Sequence, residues 1–228
     1  MTKLLQIKAL HNELDVLNNK FGDVALQAIY GAGEIKSPNL MLIFMNPTAR
    51  NISAHKTWQG LRAPWIGTKE VWKMIRSLNI ISDPKILNKV IDLKPEQWDE
   101  TLAFELYSEL AQNSIYITNI AKCTQIDARA LPNSTFKAYL PSMLEEIYLV
   151  NPRSIICFGN QVSSILLSKP VSVSNYKETE HEILMAKGKK FTVYPTYYPV
   201  GQGMRNMPKA VLRLHSLKKF RFRIEIPG

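Results

Sequence analysis

The chain has 228 residues, 46% of them hydrophobic, and a formal net charge of +10. That is enough apolar material for the core of one large domain or two small ones, and no apolar run reaches the ~18–20 residues that would span a bilayer. Two cysteines cannot build a disulfide framework, and four scattered histidines show no metal-ligand spacing. The positive balance fits a polyanionic partner, either nucleic acid or an anionic membrane surface. It fits equally a basic protein kept soluble by surface lysines.

In chain order, residues 2–18 alternate charged and apolar residues at helical spacing. They lack the unbroken apolar segment and cleavage site of a signal peptide, so the protein is expected to be cytoplasmic. "NLMLIFM" (39–45) is a short apolar run stopped by Asn46-Pro47, the pattern of a buried parallel strand. "LRAPWIGTKEVW" (61–72) sets Trp65 in a stiff turn between proline and glycine. A helix follows over 68–80, with Thr68 as N-cap. Residues 82–112 are polar with helical pieces. "SIYITNIAKC" (114–123) is a second strand running into a loop. A long helix over 134–150 carries Pro141 in its middle, which means a kink or a later start. "RSIICFG" (153–159) is a third strand, and residues 160–168 form a short helix. Residues 170–190 are Lys-rich and compatible with a hairpin. "KFTVYPT" (190–196) is a fourth strand, and a helix over 207–220 closes the chain with Pro208 in its first turn.

Strands alternating with helices predict an α/β fold: a three-layer α/β/α sandwich around a central four-stranded, mostly parallel sheet. Residues 1–228 read as one domain, with 82–112 a helical insertion. In open sheets of this kind ligands bind beyond the carboxyl ends of the strands. The loops after 45, 118, 159 and 194 all fall on that edge. They bring amides, aromatics and cations, but no nucleophile partnered by a histidine, so covalent catalysis is not expected. A flat, hydrogen-bonding ring is the ligand such a set would hold.

Four blocks now carry a resemblance, over residues 38–218, to the uracil-DNA glycosylase superfamily. "FMNPT" (44–48) resembles its water-activating motif, in the asparagine-proline version of the mismatch-specific and single-strand-selective branches. "APWIGTKEVWKMI" (63–75) resembles the "RPFVG" segment of the iron–sulfur branch, with Trp65 at the base-stacking position. "IYITNIAKC" (115–123) is similar to that branch's "YITNVVKC", with Asn119 as the base-reading amide. "YPTYYPVGQGMRN" (194–206) resembles "PTYHPS…LRN", the loop that enters the minor groove. "SIICFGNQVSSILL" (154–167) matches the usual third strand and helix.

The resemblance implies a monofunctional DNA glycosylase acting on uracil or another deaminated base flipped from the stack. Asn46 would orient a water towards C1′; an amide has no usable basicity, so positioning and electrostatics carry the step. Trp65 would stack on the base, Asn119 would read its edge through an amide fixed by a further hydrogen bond, and Met45 and Thr48 would line the same pocket. Tyr198 stands where most branches have a histidine that donates to O2 of the base. Its hydroxyl would donate in turn, or its ring would stack or block the pocket. Met204 would wedge into the gap, with Gly201, Gln202 and Arg205 on the same DNA-facing loop. Lys69, Lys122 and Lys209 would contact phosphate. Val200 replaces a usual serine. Thr48 replaces glycine or tyrosine near the 5-substituent, leaving uracil-against-thymine selectivity open. Cys123 matches one ligand of the iron–sulfur branch and Cys157 matches none, so no cluster, metal or other cofactor is expected. DNA is the expected partner, bound by a monomer that is nucleoid-associated when on DNA. The rival reading is a glycosylase-fold protein that binds nucleic acid or a protein partner with little or no catalysis.

Overall fold

A computed structural model describes residues 2–177 and 179–221; for 202 and 218–221 it describes the backbone alone. The chain opens with α1 (Lys3–Phe21), capped by the Thr2 hydroxyl accepting from the Leu5 N–H. It then runs β1 (Ala32–Gly33), β2 (Leu40–Phe44), α2 (Glu70–Leu78), α3 (Lys85–Asp92), α4 (Glu100–Gln112), β3 (Ile115–Asn119), α5 (Asn133–Val150), β4 (Ser154–Phe158), α6 (Asn160–Leu166), β5 (Glu182–Ala186), β6 (Lys189–Thr196) and α7 (Met207–Arg221).

These strands form one six-stranded sheet in the order β1-β3-β2-β4-β6-β5. The four central strands are parallel, as expected; two antiparallel edge strands enlarge the sheet. β1 has only two residues, too few to leave a period in the sequence, and its Gly33 sits at φ +113°. β5 pairs with β6 through a tight turn in which Lys187 and Gly188 both have positive φ, the geometry of a primed two-residue hairpin. The hairpin expected within 170–190 is therefore formed instead with the following strand.

β2 is buried at all five positions, so it reads as a continuous apolar run. Its alternate residues feed two cores. Leu42 and Phe44 join Trp72 of α2, Val90 of α3, Leu106 of α4 and Leu214 of α7 on one face. Met41 and Ile43 join Leu14 of α1, Phe136 and Ile147 of α5 and Val162 of α6 on the other. Each fully buried Leu, Ile or Phe of this kind stabilises the fold by about 1.5–3 kcal/mol. Segment 82–112 supplies α3 and α4, whose apolar faces are part of the first core.

Two details bear on the helix ends. α5 runs from Asn133 through Pro141, which is exposed, so of the two readings of that proline the later start does not occur. α2 begins at Glu70, and Thr68 is not its cap: the Thr68 hydroxyl donates to the Trp65 carbonyl (2.7 Å) and serves the preceding turn.

Candidate functional site

The parallel strands end at Phe44, Asn119, Phe158 and Thr196, all on one edge. Beyond that edge lies a cleft of about 1080 Å³. Met45, Asn46, Thr48, Trp65, Asn119 and Tyr198 all line it, and Lys69 and Gly201 stand at its wall.

Asn46 follows β2 directly and is half-buried. Its Nδ2 donates to the Pro47 carbonyl (3.1 Å), which turns Oδ1 the other way. The loop is tied to the segment after β3. The Pro47 carbonyl also accepts from the Gln125 N–H (3.1 Å), and the Gln125 carbonyl accepts from the Ala49 N–H (2.8 Å).

Trp65 has φ +70°, a left-handed conformation uncommon for a bulky residue and typically costing 1–3 kcal/mol. Its carbonyl is pinned by three donors: the Thr68 N–H (3.1 Å), the Thr68 hydroxyl (2.7 Å) and the Trp72 indole N–H (3.1 Å). Behind the turn, Gly67 at φ +85° packs so closely on Ile52 that a Cβ would come within 2.8 Å of its Cγ2. The Trp65 ring stands edge-on to Phe44, with centroids 5.0 Å apart, and its buried Nε1 has no partner among the described residues.

Asn119 closes β3 opposite Phe44 of β2 and is 2% exposed. Its Oδ1 is buried without a hydrogen-bond partner among the described residues. Such an atom is costly unless a ligand satisfies it. The fixing bond expected on the amide is not found among the described residues. The bond that holds this residue goes to its main-chain carbonyl, from the Lys122 ammonium.

That result corrects the reading of Lys122 as a phosphate contact. Lys122 is 0% exposed. Its Nζ lies 2.6 Å from Glu146 Oε2 and donates to the Thr118 hydroxyl (2.7 Å). Burial lowers the ammonium's pKa and Glu146 opposes the shift. The physical reason is local. β1 pairs only with Ile117 and Tyr116 of β3, so the Asn119 carbonyl lies past its end and takes a side-chain donor instead.

Tyr198 is half-buried and fits between two glycines. A Cβ on Gly159 (φ +92°) would come 3.3 Å from Tyr198 Cβ, and one on Gly203 would come 2.3 Å from the Tyr198 carbonyl oxygen. Its ring is edge-on to Phe44 at 6.4 Å, and burial pushes its phenol pKa up, so the hydroxyl is a proton-bearing donor at neutral pH. Phe44 itself stacks on Phe158 at 4.3 Å, so one aromatic pair underlies both Trp65 and Tyr198.

Met204, 50% exposed, and Arg205 stand on the 3-10 turn Gly201–Asn206, outside the cleft lining. The Gln202 side chain lies outside the described residues. Lys209 is exposed and sits 5.3 Å over the Tyr197 ring. Val200 is buried in the first core. Cys123 and Cys157 are buried and free, and among the described residues no group of three or more His, Cys, Asp or Glu side chains could hold a metal ion.

Sequence reasoning missed Arg50 and Arg129, two exposed cations that line the cleft from the loops after β2 and β3. The edge rule that selected Asn46 and Asn119 applies to them too. It also missed Glu146, a carboxylate on an apolar stripe with Met143, Ile147 and Val150.

A doubly wound α/β sandwich with an amide-and-aromatic cleft at the carboxyl edge of its parallel strands is a frame that binds ligands at that edge. The family model of the uracil DNA glycosylase superfamily matches residues 30–220, and the chain belongs to that superfamily, whose members act on DNA. No curated protein matches the chain significantly. Among the described residues no helix is long and apolar enough to cross a membrane.

Proposed function

We propose that the protein is a monofunctional DNA N-glycosylase that hydrolyses the bond between C1′ and a uracil, or another deaminated base, flipped into the cleft. One observation carries this reading: two side-chain amides from adjacent strand ends line a single cleft, each with its Oδ1 unclaimed by a described residue.

In this reading the Asn46 Oδ1 accepts from a water and aims it at C1′. The C1′–N bond breaks as the water oxygen bonds to C1′, the electron pair leaves with the base, and the proton the water loses ends on the departing base anion. Positive charge grows on the sugar and negative charge on the base, so positioned dipoles lower the barrier. Asn119 Oδ1 accepts from N3–H of uracil and Nδ2 donates to O4; cytosine offers the opposite pattern and leaves both groups unpaired. Trp65 covers the face of the ring. The Tyr198 hydroxyl donates to O2. Lys69, Arg50, Arg129, Arg205 and Lys209 contact phosphates, and Met204 fills the vacated stack. The protein acts as a single-domain monomer in the cytoplasm, on the nucleoid when bound to DNA.

The second reading is a binding protein with weak or no catalysis. The residue in the histidine position favours it: Tyr198 carries a phenol whose reach and angle differ from those of an imidazole, and its ring stands edge-on to Phe44 at 6.4 Å. Loss of one preorganised donor typically removes ~2.7–4 kcal/mol of barrier lowering.

The assay is incubation of a labelled oligonucleotide bearing one uracil, followed by alkaline cleavage of abasic sites. Breaks with the wild type that vanish in Asn46→Ala and Asn119→Ala support the enzyme. No product from single strands, U·G and U·A duplexes or hypoxanthine, with salt-sensitive DNA binding retained, supports the second reading.

A further inference from the structure

Behind the cleft lies a polar chain sealed from solvent. Tyr116 and Thr118 on β3 both donate their hydroxyls to Glu146 Oε1 on α5 (2.8 Å each). Glu146 Oε2 meets the Lys122 ammonium at 2.6 Å. That ammonium donates to the Thr118 hydroxyl and to the Asn119 main-chain carbonyl. The backbone is shaped to admit the cluster: a Cβ on Gly31 would come 2.2 Å from the Tyr116 hydroxyl and 2.4 Å from Glu146 Oε1.

Two hydrophobic residues would fill this space with less cost than a buried ion pair, which is weak evidence for stability by itself. What the pair adds is direction. On its other side, the strand end is held by β2, where the Ile120 N–H donates to the Phe44 carbonyl (2.8 Å) and the Ala121 N–H to the Met45 carbonyl (3.1 Å). Residue 119 is thus bolted from both flanks, while its side-chain amide carries no bond of its own among the described residues. With no such bond, the amide takes its aim from its backbone and from the side chains packed around it.

We infer that Lys122 and Glu146 are positioning residues: their buried ion pair fixes the main chain of residue 119 and so aims the Asn119 amide into the cleft. The inference rests on the reading of Asn119 as the base-reading group. It assigns the pair no contact with the base. Selection of the base then depends on two charges that never meet it.

The test is the double variant Lys122→Met with Glu146→Gln, which removes both charges, keeps the glutamate's length and all but the terminal atom of the lysine's, and leaves no lone buried ion. The expected result is a single-turnover rate of uracil release lower by about 10²-fold, the usual scale for a misplacement near 1 Å. Affinity for a duplex with an abasic site, which has no base for Asn119 to read, stays unchanged. Separately, the ¹⁵N side-chain resonances of Asn119, assigned by their loss in Asn119→Ala, shift or broaden in the double variant with no substrate present. An unaltered rate, a parallel fall in rate and abasic-site affinity, or unaltered Asn119 resonances in the folded variant would overturn the inference. If the double variant does not fold, Thr118→Val cuts the hydroxyl link between the two charges, and the same signs on a smaller scale are required of it. If the wild type releases neither uracil nor hypoxanthine, the glycosylase reading fails, and the resonances of Asn119 alone decide the role of the pair.

Discussion

Gly159 and Tyr198 are neighbours at the carboxyl edge of the sheet, so close that a Cβ on the glycine would come 3.3 Å from Tyr198 Cβ. Gly159 has φ +92°, a conformation that side-chain-bearing residues rarely adopt. Gly159→Ala therefore meets two penalties at once, backbone strain and a push on the tyrosine ring. The expected loss is about 1 kcal/mol or more in urea unfolding, together with altered intrinsic fluorescence from the displaced aromatic cluster. A variant as stable as the wild type would mean that the packing at Tyr198 is slack.

Trp65 inverts an ordinary ranking. Glycine is usually less stable than alanine by roughly 0.5–1 kcal/mol, but at positive φ only glycine is unstrained. Trp65→Gly should then be at least as stable as Trp65→Ala in chemical denaturation, because residue 65 sits at φ +70°. Both should weaken binding of uracil-bearing DNA by the ~1–3 kcal/mol typical of removing an aromatic–base stack.

Arg50 and Arg129 are exposed at the cleft, whereas Lys122 is not. Alanine at either arginine should weaken DNA binding about equally for all sequences. It should also flatten the plot of log affinity against log salt by about one unit of slope for each phosphate no longer neutralised. Titrations at several salt concentrations measure this. An unchanged slope would remove that arginine from the interface.

His11 stacks on Tyr30 with ring centroids 3.8 Å apart, and the Arg62 guanidinium lies 4.3 Å from the same Tyr30 ring. Burial lowers the His11 pKa, Arg62 and Lys122 adding to the shift and Glu146 and Asp15 opposing it. A base whose folded pKa is depressed stabilises the fold fully above its unfolded value, near 6.5. As pH falls below that value the unfolded chain takes up the proton first, and stability declines until the folded pKa is passed. Melting temperature should drop over that window in the wild type and drop less in His11→Phe, which keeps the stack.

Much of the cleft was legible in the sequence because strand ends announce themselves. Asn46-Pro47 stops an apolar run, Asn119 ends a β-branched one, and the edge rule for parallel sheets brings both to one side. Trp65 was legible as a residue in a stiff turn, but its positive φ was not, since no local signal separates it from an ordinary turn. Lys122 misled for a definite reason. A lysine three residues past a strand end is normally solvated, and only the distant Glu146, brought over by α5, makes burial tolerable. β1 escaped for want of length, and β5 was legible only as part of a hairpin within 170–190, because its exposed positions Ile183 and Met185 are apolar and leave no polar alternation in the sequence.

The stacked pair Phe44 and Phe158 belongs to the first core and also underlies the cleft. Occupancy of the cleft is therefore thermodynamically linked to folding. A ligand that binds only the native state adds RT ln(1 + [L]/Kd) to stability, about 2.7 kcal/mol at a hundredfold excess over Kd. A panel of free bases and nucleosides can accordingly be ranked by the rise in melting temperature each produces, with no turnover required.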